Sequence, residues 1–260
     1  MDSSYAYNMD NKRSKYLAPI APTSHKYSRG IVGVIAGSNE FPGAAVLCVG
    51  GALRGGAGYI KYFDQNPRAT DLVLARFPEV VPVDKGSELT ADAWVIGAGS
   101  PALKVIPFAP FLVLDSIAIP LAKTITGDSV VVITPHEGEA RELGYESEDR
   151  VECAKAMARD FRAFVILKGA GTLIASPAGD LITDNEGGPE LSTAGTGDIL
   201  AGLTASLLAS WQPTGDEQIM EVLGYALKLH GAAGKRAAKS YGAVVASDVL
   251  DALTQLDQEF

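Results

Sequence analysis

Short apolar runs alternate with longer helical stretches from Gly30 onward, and this alternation is the main structural pattern of the chain. The runs are rich in valine and isoleucine and show little alternation of apolar and polar positions. Such runs are typical of parallel strands that are covered on both faces. The predicted strands are Ile31–Ala36, Tyr59–Phe63, Ala93–Ile96, Phe111–Leu114, Val130–Ile133 and Phe164–Leu167.

Helices are predicted between the strands, where apolar residues recur on one helical face or where small residues precede an apolar run. The predicted helices are Ala44–Arg54, Arg150–Arg162, Asp198–Trp211 and Glu217–Lys239. A hairpin is predicted over Gly171–Pro177 and Leu181–Thr183, joined through Ala178-Gly179-Asp180. This order of elements predicts an α/β fold: a three-layer sandwich with a mostly parallel central sheet and helices on both faces.

The length and composition fit one large domain. The chain has 260 residues, of which 47% are hydrophobic, so a sizeable core can form. Residues 1–29 differ from the rest because they carry five basic and two acidic side chains. We interpret residues 1–24 as a flexible tail, solvated rather than a nucleic-acid arm, and residues 25–260 as the domain.

Charge and cysteine content limit the partners and the compartment. The net charge of −9 disfavours nucleic acid and anionic membranes as partners. The longest uncharged run, Ile199–Gly215, is too short and too polar to span a bilayer, and the N-terminus lacks an apolar signal core. Two cysteines, Cys48 and Cys153, cannot form a disulfide framework. We therefore expect a cytoplasmic protein.

Several familiar motifs are absent from the sequence. It has no Walker A pattern, and none of its Gly-x-Gly triplets is followed by glycine three residues later, so the dinucleotide fingerprint fails. The three histidines, His25, His136 and His230, lie far apart, and no zinc-like spacing occurs. No metal ligand is predicted from these residues.

Glycines and polar residues follow the predicted strands. In sheets of this kind, ligands bind beyond the carboxyl ends of the strands, so these residues are the candidates for a functional site. They are Gly37-Ser38-Asn39, Gly97-Ala98-Gly99, Asp115, Thr134-Pro135-His136 and Lys168-Gly169-Ala170-Gly171-Thr172.

The segment Ser192–Gly202 carries the most informative pattern, since small residues run directly into an apolar helix. Free N–H groups of Gly195, Thr196, Gly197 and Asp198 at that helix start would form an anion site. The Asp198 carboxylate could then accept a proton from a substrate hydroxyl as phosphoryl transfer begins. The alternative is a capped helix, with Thr196 as the N-cap and Asp198 in the first turn.

Several segments along the chain form one recognisable combination: His25-Lys26, Ala36-Gly37-Ser38, Pro42-Gly43-Ala44-Ala45, Ala52-Leu53-Arg54-Gly55-Gly56-Ala57-Gly58, Thr134-Pro135-His136-x-Gly138-Glu139, Leu167-Lys168-Gly169-Ala170-Gly171-Thr172, Ala194-Gly195-Thr196-Gly197-Asp198 and His230-Gly231-x-Ala233-Gly234. Through these segments, residues 25–255 resemble the NAD(P)H-hydrate dehydratase family of the ribokinase-like superfamily, which repairs hydrated nicotinamide cofactors. One departure follows Asp115, where Ser116 and Ile117 stand and the family usually has a second Asp.

The resemblance implies a role for each matched position. Asp198 would be the catalytic base, and Ala44, Gly99, His136 and Asp198 would contact the substrate. The nucleotide would be bound by Lys168, Gly169, Ala170, Gly171, Thr172, Gly195, Thr196 and Gly197. Without the resemblance, the lysine loop, Lys168–Thr172, reads as an ordinary turn, His136 as a helix-initiating residue, Ala44 as a packing position and Gly99 as a turn.

Three functions are open at this stage. The first is a lyase that dehydrates hydrated NADH and NADPH at the expense of ADP, preferred over ATP, with Mg²⁺. The second is a small-molecule kinase of the vitamin-precursor type, and the third is a nucleotide-binding module without activity. The resemblance further implies a homo-oligomer, often a tetramer in this family, and a separate epimerase that acts upstream.

Overall fold

The central sheet dominates the computed structural model, which describes residues 15–63, 66–84, 89–101 and 106–256. Nine strands in these ranges form one sheet in the order β3-β2-β1-β4-β5-β6-β7-β8-β9. The strands are β1 Ile31–Ile35, β2 Tyr59–Phe63, β3 Val81–Val83, β4 Ala93–Ile96, β5 Phe111–Leu114, β6 Val130–Ile133, β7 Phe164–Leu167, β8 Thr172–Ala175 and β9 Leu181–Asp184.

The pairing agrees with the sequence pattern. The seven strands β1 to β7 pair in parallel with their neighbours in the sheet. Strands β7, β8 and β9 form an antiparallel meander that contains the predicted hairpin. All six predicted parallel strands are confirmed, although β1 ends one residue earlier, at Ile35. Strand β3 was not predicted because it has three residues and contains Pro82, which removes one backbone donor.

Helices cover both faces of the sheet, and the four predicted ones are confirmed with shifted ends. The helices are α1 Pro42–Arg54, α2 Pro67–Arg76, α3 Glu137–Glu142, α4 Arg150–Phe161, α5 Thr196–Trp211, α6 Gly215–Ser240 and α7 Ala246–Leu253. Two 3₁₀ helices lie at Ser116–Thr124 and Pro189–Leu191. The sequence analysis missed α2, α3 and α7, which have at most ten residues each.

Two hydrophobic cores fill the spaces between the layers. In β4, Trp94 and Ile96 face the core under α4, whereas Val95 faces the core under α1 and α5. This alternation follows from the two-residue period of a strand, and all three side chains are fully buried. Burial of each such side chain contributes about 1.5–3 kcal/mol. The three-layer prediction is therefore confirmed.

The segment before β1 touches the body of the protein. Of the predicted tail, residues 1–14 lie outside the described residues. Residues 15–24 contain no helix or strand, yet Ala18 is buried and the Trp211 indole N–H donates to the Tyr16 carbonyl over 3.0 Å. The Tyr16 and Tyr225 ring centroids are 5.3 Å apart. Within the described ranges, no helix is long and apolar enough to cross a membrane.

The strand order reverses direction at β1, which pairs with β2 on one side and β4 on the other. Connections that leave adjacent strands in opposite directions open a crevice at the carboxyl ends of those strands. The segments after β1 and β4 meet there, since the Gly37 N–H donates to the Ala98 carbonyl over 2.7 Å. The topology therefore places a ligand crevice beside the start of α1.

Candidate active site

Helix α5 begins at a glycine turn with free backbone donors. Its N-cap is Gly195, whose φ of 94° is a left-handed conformation that glycine adopts without strain. The alternative that Thr196 is the N-cap is wrong, because its hydroxyl donates to the carbonyls of Leu191 (2.8 Å) and Thr193 (3.0 Å). A glycine cap offers no side-chain acceptor, so the N–H groups of the first turn remain available to an anion.

Close contact with α1 fixes the position of this turn. A Cβ atom on Gly51 would overlap the Ile199 carbonyl oxygen, and one on Gly202 would overlap the Cys48 carbonyl oxygen. The two helix backbones therefore touch, and neither helix can shift without opening the packed core between them. The start of α5 is thus carried by a rigid pair of helices rather than by a loop.

A buried ion pair lies at the ends of β5 and β7. Asp115 is only 3% exposed, and the Lys168 ammonium donates to its Oδ1 atom over 2.9 Å. The Thr134 hydroxyl donates to the same oxygen over 2.6 Å. Burial lowers the pKa of Lys168, but the carboxylates of Asp115 and Glu139 outweigh it and the net shift is upward. The lysine therefore remains charged at neutral pH.

Lys168 also lies against the first turn of α5. A Cβ atom on Gly197 would stand 3.2 Å from the Lys168 ammonium nitrogen, so the absence of a side chain at Gly197 makes room for the lysine. The Lys168 N–H donates to the Pro135 carbonyl over 2.8 Å, which extends the β6–β7 pairing to the lysine. The structure thus brings the lysine loop and the turn at Gly197 to the same edge of the sheet.

Asp198, in the first turn of α5, is a partly buried carboxylate with a strongly shifted pKa. Burial raises the pKa of Asp198 to about 7, and the negative charge of Asp115 adds to the shift. The positive charge of Lys168 opposes it, while Glu139 raises the pKa further. A carboxylate with a pKa near the working pH is suited to accept a proton during catalysis.

His136 caps helix α3 through its imidazole ring. The Glu139 N–H donates to the His136 Nδ1 atom over 3.1 Å, and the Glu139 carboxylate accepts the His136 N–H over 2.8 Å. The helix-initiating alternative is therefore confirmed. Because Nδ1 accepts a hydrogen bond, the neutral ring carries its proton on Nε2. The ring pairs next to Lys168 and is exposed, and its Nε2 atom lies 3.7 Å from the Glu139 Oε2 atom, so a ligand would meet that N–H beside a carboxylate.

Ala44 and Gly99 meet at the crevice between β1 and β4. A Cβ atom on Gly99 would stand 2.5 Å from the Ala44 Cβ atom, so the turn after β4 packs directly on the start of α1. The packing alternative for Ala44 and the turn alternative for Gly99 are therefore confirmed. Helix α1 begins at Pro42, and no side chain among the described residues caps it at Phe41. In its first turn Pro42 has no N–H and the Ala44 N–H donates to the Phe41 carbonyl over 3.3 Å, so the Gly43 N–H is the donor that this turn could present to a ligand.

The loop after β7 is held by Arg150, the first residue of α4. The Arg150 Nη1 atom donates to the Ala170 carbonyl over 2.5 Å and to the Gly171 carbonyl over 2.8 Å. The Thr172 hydroxyl donates to the Gly169 carbonyl over 3.1 Å. Arg150, Ala170 and Gly171 line a cleft of about 740 Å³. Neither Asp198 nor Lys168 lines this cleft, which therefore lies on the Ala170–Gly171 side of the loop.

The carboxylates near Lys168 are the available oxygen ligands for Mg²⁺. Among the described residues, no group of three or more His, Cys, Asp or Glu side chains is arranged to hold a metal ion. Mg²⁺ in nucleotide sites usually takes one or two protein carboxylates, with phosphates and water as its other ligands. Asp198 and Asp115 fit such a role. Ile117, half exposed after Asp115, adds no ligand.

Sequence reasoning assigned no role to three side chains of this region: Thr134, Glu139 and Arg150. Thr134 and Glu139 stand in the matched block after β6, so their proximity to Asp115 and Lys168 could have been inferred from the strand order. Arg150 carries no such signal, because it begins a helix 18 residues before Lys168 and meets the loop only through the fold.

Comparison with known proteins identifies the family. The sequence profile described as NAD(P)H-hydrate dehydratase matches residues 32–255. The chain is 35% identical over 215 residues to the bifunctional NAD(P)H-hydrate repair enzyme Nnr of Mycobacterium tuberculosis, covering 75% of this chain and 44% of that protein. It is 31% identical over 248 residues to the ADP-dependent (S)-NAD(P)H-hydrate dehydratase of Neisseria meningitidis, covering 85% and 82%.

Solved structures agree with this result. The ADP/ATP-dependent NAD(P)H-hydrate dehydratase of Bacillus subtilis, co-crystallised with ATP/Mg²⁺, superposes with a TM-score of 0.80 at 28% identity over 92% of each chain. A ribokinase-like superfamily protein of Enterococcus faecalis superposes with a TM-score of 0.78 at 25% identity, covering 91% of this chain and 89% of that one.

The chain belongs to the NAD(P)H-hydrate dehydratase family and has the ribokinase-like fold. It spans less than half of the length of the bifunctional Mycobacterium enzyme, but more than four fifths of the Neisseria dehydratase.

Proposed function

We propose that the protein dehydrates hydrated NADH and NADPH back to the intact cofactors and consumes a nucleotide in each turnover. The observation that carries the proposal is the placement of Asp198, with a pKa of about 7, in the first turn of α5 beside the Lys168 ammonium. This arrangement provides a base, a cation and free backbone donors at one point, as phosphoryl transfer to a hydroxyl requires.

The chemistry proceeds in two stages because hydroxide is a poor leaving group at neutral pH. Asp198 accepts the proton of the hydroxyl group on the hydrated nicotinamide ring. At the same time the hydroxyl oxygen forms a bond to the terminal phosphorus of the nucleotide. The bridging P–O bond breaks, and ADP leaves as AMP or ATP leaves as ADP. The electron pair of the ring nitrogen then expels phosphate, and loss of a proton from the neighbouring ring carbon restores the double bond.

The nucleotide is assigned to the loop Lys168–Thr172 together with Gly195, Thr196 and Gly197. The Lys168 ammonium and the N–H groups at the start of α5 would neutralise the phosphoryl group in flight. We propose ADP as the preferred donor, since the similar Neisseria protein is named ADP-dependent and the Bacillus one ADP/ATP-dependent. Mg²⁺ would bind with the nucleotide and balance its charge.

The hydrated cofactor is assigned to the crevice beside α1. Gly99 packs against Ala44 there, and a glycine at this turn would allow close approach of an extended dinucleotide. The exposed His136 ring would donate its Nε2–H to a polar group of the substrate. In this arrangement the substrate hydroxyl reaches Asp198 from the β1–β4 side and the donor phosphate from the Lys168 side.

We also propose an oligomeric state, a cellular location and an upstream enzyme for this protein. We propose a homo-oligomer, a tetramer by analogy with the family, and light scattering that reports a monomer at working concentration would contradict this. We place the reaction in the cytoplasm, where free cysteines such as Cys48 and Cys153 persist. A separate epimerase would supply the hydrate epimer on which this site acts.

Incubation of hydrated NADH with ADP or ATP and Mg²⁺ tests the proposal. We expect nicotinamide absorbance to return, with one phosphate released for each NADH formed. Accumulation of a stable phosphorylated product from another small molecule, without recovery of NADH, would identify a kinase. Nucleotide binding without turnover of the hydrate would identify a binding module.

A further inference from the structure

Three successive carbonyls of the lysine loop, those of Gly169, Ala170 and Gly171, accept hydrogen bonds from side chains of the protein itself. Arg150 donates to the carbonyls of Ala170 and Gly171, and the Thr172 hydroxyl donates to that of Gly169. In a trans peptide the carbonyl and the following N–H point in opposite directions. Fixing the carbonyls of Gly169 and Ala170 therefore turns the N–H groups of Ala170 and Gly171 away from the donors that hold them.

Successive N–H groups exposed on one side of a glycine loop form a concave anion site. Gly169 and Gly171 have φ values of 146° and 66°, so the loop adopts a conformation that other residues rarely reach. Without supporting contacts, such a loop has many alternative backbone conformations. The hydrogen bonds from Arg150 select one conformation, in which N–H groups of the loop are left to bind a phosphate.

Glu137 fixes Arg150 in turn. The Arg150 Nε atom lies 2.7 Å from the Glu137 Oε1 atom, and the arginine side chain is 27% exposed. A Cβ atom on Gly169 would stand 2.6 Å from the Arg150 Nη2 atom and 3.1 Å from the Glu137 carboxylate. The ion pair is thus packed directly under the loop, and it connects the first residues of α3 and α4.

We propose that Arg150, oriented by Glu137, is a positioning residue for the phosphoryl donor: it holds the 169–171 loop so that its N–H groups bind the phosphates of a nucleoside diphosphate or triphosphate. The inference rests on the proposed function and names a residue that acts through the loop.

Four variants test this inference: Arg150→Met, Arg150→Lys, Glu137→Gln and the control Arg159→Met. Arg159 lies on the same helix with a 71% exposed side chain, paired with neighbouring Asp160. For each we would measure the Kd of ADP and ATP by calorimetry, the KM of nucleotide and of hydrated NADH, kcat and the melting temperature.

We expect Arg150→Met to raise the nucleotide Kd and KM about tenfold or more, since charged hydrogen bonds are lost, and to leave kcat at saturating nucleotide and the KM of the hydrate nearly unchanged. Arg150→Lys should have a nucleotide Kd and KM between those of the wild type and of Arg150→Met, because lysine keeps the charge but lacks the planar fork that reaches two carbonyls. Glu137→Gln should raise the nucleotide Kd and KM less than Arg150→Met does, and the control Arg159→Met should leave both unchanged.

A folded Arg150→Met with wild-type nucleotide Kd would overturn the inference, as would equal rises in the KM of both substrates. If Arg150→Met does not fold, unchanged nucleotide binding in both Arg150→Lys and Glu137→Gln overturns it instead. A wild-type protein that binds neither ADP nor ATP would contradict the proposed function itself, and calorimetry on the unmutated chain shows this before any variant is made.

Discussion

The ammonium of Lys168 contacts the Asp115 carboxylate over 2.9 Å and lies beside Gly197. One side chain thereby joins the end of β5 to the start of α5. Asp115 is almost fully buried, and among the residues that the structure describes Lys168 is the cation that hydrogen-bonds to its carboxylate. Charge balance in the core and at the candidate phosphate site therefore depends on the same residue.

Replacement of Lys168 by Met should both destabilise the protein and weaken nucleotide binding. The change leaves the Asp115 carboxylate buried without its cation, which we expect to cost about 3 kcal/mol of unfolding free energy. Urea unfolding measures the loss, and the double variant with Asp115→Asn should recover part of it. A Lys168→Met protein of wild-type stability would contradict this view of the ion pair.

Activity should depend on pH through the ionisation of Asp198. A base with a pKa of about 7 is half protonated at neutral pH, so kcat/KM should rise with pH and level off above that value. A pH profile recorded at constant ionic strength gives the apparent pKa of the acid limb. A flat profile between about pH 5.5 and 8.5 would exclude a base with the shifted pKa of Asp198.

The same shift predicts that Asp198 destabilises the fold at alkaline pH. The folded state keeps the Asp198 proton up to a pKa of about 7, whereas the unfolded chain loses it near 3.8. Between these values the folded state binds more protons, so its stability falls as pH rises. Asp198→Asn should therefore raise the melting temperature more at pH 8 than at pH 4. An equal change at both pH values would contradict the shift.

Contact between α1 and α5 should be intolerant of a single methyl group. Gly202→Ala would place Cβ against the Cys48 carbonyl, and we expect a loss of about 1–3 kcal/mol of stability together with lower activity. Gly224→Ala in α6 is the matched control, because nothing lies within 4 Å of the added atom. That change should stabilise the helix by about 0.5–1 kcal/mol. Equal effects of the two changes would refute this account of the contact.

The parallel strands and the long helices could be predicted from the sequence because their patterns are local. Val130–Ile133 and Phe164–Leu167, for example, are continuous apolar runs whose bounds the structure reproduces. The proximity of the candidate residues could also be predicted, because residues that follow parallel strands lie at the same edge of the sheet. The placement of Lys168 near the turn at Gly197 needed only this rule and the resemblance.

Other features depend on tertiary contacts that no local pattern encodes. The Thr196 hydroxyl could have capped α5, but the acceptors at Leu191 and Thr193 bind it instead. The interaction of Arg150 with the 169–171 loop requires α4 to pack beside β7, which the sequence of neither element reveals. The pKa of Asp198 likewise follows from burial and from Asp115, which is distant in sequence.

Turnover of hydrated NADH by Asp198→Asn tests the central claim most directly. Asparagine preserves the shape of the side chain and its position in the first turn but cannot accept the proton. We expect nucleotide binding and folding to persist while turnover, followed as recovered nicotinamide absorbance, falls by about 10²–10⁴ or more. A folded Asp198→Asn protein that restores NADH at nearly the wild-type rate would contradict the assignment of Asp198 as the base.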